Sequence, residues 1–123
     1  MRYDPTAAPD PSTWLGSSEG DRLDSVLQQH KRARERAGNL RMHAAIHVTV
    51  ETQLAEGLEP TVRAMERLLK QGLARHDALH AIGSVVAEQM VAAVQGGSFD
   101  AASYAARLDA LTAASWRSSG DEG

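Results

Sequence analysis

The 123-residue chain contains no cysteine, which excludes disulfides, thiolate nucleophiles, iron–sulfur clusters and every zinc site built on sulfur. Any metal it holds must sit on nitrogen and oxygen. Aromatic residues are scarce, at 4%, against abundant alanine and leucine, a balance that favours helices packed through small and aliphatic side chains over a β-sandwich. Long apolar runs are missing: the richest stretch, residues 81–94, is interrupted by Ser84, Glu88 and Gln89, and the opening MRYDPTAAPD has no apolar core of an export signal. These absences lead to the expectation of a cytoplasmic protein with no membrane span. Positive charge is also in deficit, with a formal net charge of −3. The single basic run (Lys31, Arg32, Arg34, Arg36) has Glu35 in its midst and falls where cations complement a helix C-terminus, so no nucleic-acid partner is expected.

What is present fits one folded domain. Hydrophobic residues make up 42% and charged residues 24%, and a chain of this length has no room for a second core. Pro5, Pro9 and Pro11 fall within residues 1–17, read as a flexible N-terminal tail anchored by Trp14 and Leu15; residues 18–116 read as a single helical domain and 117–123 as a flexible C-terminal tail. Within the domain, helical spacing predicts a first helix from about Ser18 to Ala37, stopped by Gly38. A second begins after Asn39, with Leu40, His43, Ile46, His47, Val50 and Leu54 on one face, and ends at Gly57. A third starts near Pro60 and closes at Gly72. The fourth runs from about Arg75 to Val94, and a fifth, capped by Ser98, bears Tyr104, Leu108 and Leu111. The expected fold is all-α, a compact bundle of about five helices joined by short connections.

Four of the five histidines form two HxxxH pairs, His43 with His47 and His76 with His80. Random placement of five histidines yields only about 0.16 such pairs, so the spacing calls for a physical reason. Residues four apart on a helix stack one turn above each other with Cβ atoms about 5–6 Å apart, which lets both imidazoles reach one point, the arrangement that divalent transition metals use. On the second helix the row continues to Glu51, giving HxxxHxxxE. Both pairs sit within apolar stripes and so face inward. Gly83 costs about 1 kcal/mol against alanine in a helix interior, which the close approach of another helix would offset; if that helix bears His43 and His47, the pairs face each other. His30 occupies a core-type position and Glu88 lies near His80, so both are candidates to join the site. The chain lacks Glu-x-x-His, the usual di-iron signature, and HExxH of the zincin proteases, as well as the phosphate-binding GxxxxGK[ST] loop.

The stretches HAAIHVTVETQ and RHDALHAIG, within a longer match over roughly residues 10–90, resemble a small family of bacterial all-helical proteins to which no activity is assigned. The resemblance implies that His43, His47, Glu51, His76 and His80 form a family pattern, HxxxHxxxE…HxxxH. Ala74 departs from the Ser or Asp expected there as a helix cap.

Two functional readings follow. In the first, His43, His47, His76 and His80 ligate a divalent transition metal, zinc or iron by default, with Glu51 as ligand or as general base for hydrolytic or oxidative chemistry. In the second, the protein is a non-catalytic interaction domain, a homodimer, whose histidines form a metal-free buried hydrogen-bond network. No organic cofactor is expected in either, and no motif identifies a small-molecule substrate.

Overall fold

Local signals set most helix boundaries. A computed structural model describes residues 1–34 and 39–118, and among them the chain forms seven α-helices: α1 (Pro11–Gly16), α2 (Glu19–Arg32), α3 (Leu40–Ala55), α4 (Glu59–Lys70), α5 (Arg75–Val94), α6 (Ala101–Asp109) and α7 (Ala113–Ser118). Asn39 caps α3 by accepting from the Met42 amide at 3.0 Å, and Ser18 caps α2 through the Asp21 amide at 3.1 Å. Ala74 leaves α5 without a side-chain cap. Gly57 and Gly72 end α3 and α4 at φ 72° and 96°, a left-handed conformation that suits glycine.

The expectation of about five helices is therefore corrected to seven. The additional elements, α1 and α7, have six residues each, too few to display a 3.6-residue period. Capping chemistry builds them. Asp10 accepts from the Thr13 amide at 3.0 Å with Pro11 at the first turn. Thr112 and Ser115 exchange reciprocal amide-to-hydroxyl bonds of 3.1 and 3.0 Å. The cap of α6 is Asp100, bonded to the Ala102 amide at 3.0 Å, and not Ser98. Glu35, Arg36 and the expected stop at Gly38 lie outside the described residues, as do residues 119–123 of the expected C-terminal tail, whereas Arg117 and Ser118 complete α7.

The core has two parts, and α3 belongs to both. Val50, with Ile46 and Leu54 beside it, packs against Ala64, Leu68, Leu79, Ile82, Tyr104 and Leu108 of α4, α5 and α6. Ala44, with Val48 and Ala55, packs against Tyr3, Trp14 and Val26. Residues 1–17, expected as a tail, contribute two packed aromatics: Tyr3 is 2% and Trp14 0% exposed, and the Trp14 indole N–H donates to Thr52 at 3.0 Å. At about 100° per residue, His47 and Glu51 fall between the two apolar faces of α3. Polar side chains are thereby held at the seam where the two parts of the core meet.

Gly83 marks the contact between α3 and α5. A Cβ there would lie 2.8 Å from Ile46 Cγ2, closer than side chains tolerate, and the β-branched Ile46 has little rotameric freedom to retreat. Gly83→Val should destabilise the fold by about 1–3 kcal/mol, read by denaturant unfolding; unchanged stability would show that the two helices do not meet at this point.

Candidate metal centre

Three helices bring all five histidines to one place. His30 comes from α2, His43 and His47 from α3, and His76 and His80 from α5. Ring centroids lie 4.8 Å apart for His30–His47, 4.9 Å for His43–His47, 5.1 Å for His47–His80, 5.6 Å for His47–His76 and 4.4 Å for His76–His80. Two triads have ligand atoms within 4.8 Å of one another, His30–His43–His47 and His47–His76–His80. His47 is common to both and is buried, at 3% exposure. The HxxxH spacing accounts for the arrangement within each helix, and the Gly83 contact brings the two helices together.

Hydrogen bonds fix several protons. The Val26 carbonyl lies 2.8 Å from His30 Nδ1; a carbonyl only accepts, so Nδ1 is the protonated nitrogen and the neutral ring keeps its lone pair on Nε2. Histidines that bind metals are commonly oriented by such a bond from the opposite nitrogen. His47 Nε2 lies 3.1 Å from His80 Nε2. A metal placed about 2.1 Å from both atoms would see them at an angle of about 95°, within the range of octahedral and distorted tetrahedral centres. On its other side, His47 Nδ1 makes a long 3.4 Å contact with the Tyr3 hydroxyl.

Behind His47 stands a network that the sequence pattern only partly announced. The Tyr3 hydroxyl donates to Glu51 Oε2 at 2.5 Å. Both carboxylate oxygens of Glu51 accept from Arg75, at 2.8 Å from Nη1 and 2.7 Å from Nη2. Arg75 also donates to the Pro5 carbonyl at 3.1 Å, and Arg32 to the Tyr3 carbonyl at 3.3 Å, so the first residues of the chain are tied to the site. Because the Tyr3 proton goes to Glu51, its oxygen accepts from His47 Nδ1–H, which leaves the His47 lone pair on Nε2, facing His80. Burial, with the Glu51 carboxylate adding to it, pushes the Tyr3 phenol well above its usual pKa. For Arg75 burial acts against the charge, but the hydrogen bonds and charge of Glu51 outweigh it and raise the pKa.

The site residues expected from sequence thus separate into two groups. His43, His47, His76 and His80 come together as anticipated, and His30 joins them. Glu51, at 1% exposure, is committed to Arg75 and Tyr3 and belongs to neither triad. Glu88 is farther removed, paired with Arg107 at 2.9 Å on the surface. Tyr3 and Arg75 were missed. A carboxylate in line with a buried stripe does signal that a cation must accompany it, but no sequence spacing identifies which one.

A pocket of about 220 Å³ opens between α3 and α5 and is lined by His43, His47 and His80 together with Trp116 of α7. His43 and His80 are half-buried, so the histidines reach a space that a small molecule can enter. No helix among the described residues is long and apolar enough to cross a membrane. No family model, curated protein or solved structure matches the chain. Fold and site define an all-helical protein with two histidine clusters capable of coordinating a metal.

Two predictions follow from this geometry. Burial first, and then the charges of the surrounding histidines, depress the His47 pKa from 6.5 to about 2. The unfolded chain therefore binds more protons than the folded one between those values, and stability rises with pH across that window. Chelator-stripped protein should have a Tm that is flat above about pH 6.5 and falls progressively as the solution is acidified; a Tm unchanged down to pH 5 would contradict a buried neutral His47. The second concerns the ion pair, whose Arg75 and Glu51 side chains are 12% and 0% exposed. Arg75→Met leaves a buried carboxylate without its cation and should cost about 3–5 kcal/mol, with Glu51→Gln added in the same chain recovering part of the loss.

Proposed function

We propose that this protein is a metal-binding protein in which His47, with His76 and His80 from α5 and His43 and His30 beside them, holds a divalent transition metal. The observation that carries this reading is the convergence of four imidazoles on a fifth, His47, that burial keeps neutral. Neutral imidazole is the form a metal requires. An all-nitrogen donor set disfavours magnesium and calcium, which take oxygen shells, and suits zinc or iron(II). The ligand role first considered for Glu51 passes to His30, whose Nδ1–H bond to Val26 prepares the opposite nitrogen.

The pocket beside His43 and His80 supports a further step, a centre with a coordination position accessible to water or substrate. A bound zinc or iron would supply Lewis-acid activation there, for hydrolysis, or for oxidation in the case of iron. Glu51 does not serve as general base in this reading, because Arg75 and Tyr3 occupy its oxygens. Tyr3 and Glu51 act instead by holding the His47 tautomer. A second reading rests on the 3.1 Å contact between His47 and His80, which pairs the two rings without an ion and suits a structural or homodimeric role.

Elemental analysis of untagged protein, prepared without chelator, separates the readings. The metal reading predicts near-stoichiometric zinc or iron that is lost in both His47→Ala and His80→Ala. Protein that is metal-free and gains no thermal stability from added divalent ions would leave only the hydrogen-bonded network.

A further inference from the structure

The space that exposes the histidines has an unusual lining. Apart from the three imidazoles, its walls are Ile46, Leu79, Gly83, Ala87 and Trp116, with Ser84 the single hydroxyl, and no Asp, Glu, Lys or Arg among the described residues lines it. A phosphate, a nucleotide or a di-acid bound here would forfeit hydration with nothing on the walls to replace it. The Ser84 hydroxyl already donates to the Ala81 carbonyl at 2.6 Å, so the polar groups of the lining are concentrated at the histidine end, where a metal would add the strongest point of attachment for a polar head.

A second pocket, of about 280 Å³, adjoins the first, and Ile46 and Ala87 line both. Its remaining walls are aliphatic apart from Gln95, and they stay in contact with water: Met42 is 44%, Val91 55% and Val94 87% exposed. Contiguous exposed side chains of this kind mark a surface that something apolar covers, and methionines adapt readily to a flexible occupant.

We infer that the site takes a linear aliphatic ligand, with one polar end on the metal beside His80 and its hydrocarbon chain passing over Ile46 and Ala87 to Met42, Met90 and Val91. This rests on the metal reading above and adds the ligand class to it. The uncharged pocket selects a single polar head, and the adjoining aliphatic pocket selects a chain over a compact or branched molecule. Burial of successive methylenes supplies the affinity, each worth up to about fourfold when fully covered.

The test compares two probes with the same metal-ligating head, acetohydroxamate and octanohydroxamate, titrated calorimetrically into zinc-loaded protein. Octanohydroxamate should bind about 100-fold tighter, since its chain is partly covered. Val91→Asp lies on an exposed position and leaves the fold intact; it should weaken octanohydroxamate about tenfold while acetohydroxamate binding and zinc content stay unchanged. Equal affinity for the two probes, or equal loss of both in Val91→Asp, overturns the inference and leaves the metal reading standing. A sedimentation experiment showing a dimer that Val91→Asp dissociates, without any preference for the longer probe, overturns it in favour of a second copy of the chain as the occupant. Protein that retains no zinc and binds neither probe fails the metal reading itself, a result distinct from the other two.

Discussion

The structure depends on keeping one imidazole buried and neutral where three helices meet. His47 is 3% exposed and its pKa is depressed to about 2, so it cannot gain a proton without disrupting what surrounds it. The neighbouring elements accommodate that requirement from both sides. In front, His80 meets its Nε2 and His30, His43 and His76 close around the ring. Behind, Tyr3 stands between His47 and a carboxylate that is itself neutralised by a two-pronged contact with Arg75. The central ring is oriented, and the nearest full charges are balanced against each other.

Helix α3 makes this possible because it is apolar on two sides. Val50 and its neighbours serve one part of the core, and Ala44 with Val48 serves the other. The polar stripe of His47 and Glu51 lies between them, sealed on one flank by α5 and on the other by the first residues of the chain. A buried ion pair such as Glu51–Arg75 is a poor source of net stability, since desolvation consumes most of its Coulomb energy. Its value here is positional. Arg75 joins Glu51 to the Pro5 carbonyl, so the same guanidinium that balances the carboxylate also anchors the segment bearing Tyr3.

Sequence made the histidine pairs legible because the i, i+4 relation is local to a helix, and Gly83 announced a close helix contact because its cost in a helix interior needs compensation. Which helix makes that contact was left open by the sequence, and the structure supplies α3, through Ile46. What escaped was tertiary. Glu51 continues the histidine row in sequence, but whether a carboxylate at that place faces a metal or a cation depends on Arg75, 24 residues away. Tyr3 sits in a proline-rich stretch with no period to reveal its burial. His30 was readable only as a core-type position until its bond to Val26 fixed the tautomer. Helices α1 and α7 were hidden by brevity, although Asp10–Pro11 and the Thr112–Ser115 pair are local start signals. The second apolar face of α3 was overlooked because alanines contribute weakly to any hydrophobic pattern.

The chemistry open to this site follows from nitrogen donors, a pocket and the lack of any charged side chain lining that pocket among the described residues. With a metal bound, such a centre would draw its charge from the ion, and from the protein the tautomers of its ligands and a shaped apolar wall. X-ray absorption spectroscopy at the zinc edge of stoichiometrically loaded protein tests the central claim most directly. The account predicts a shell of nitrogen neighbours about 2.0–2.1 Å from zinc, with the outer scattering of at least three imidazoles, lost in His47→Ala. A shell of oxygens without imidazole scattering would show that zinc sits elsewhere on the surface and that the five histidines do not form a metal site.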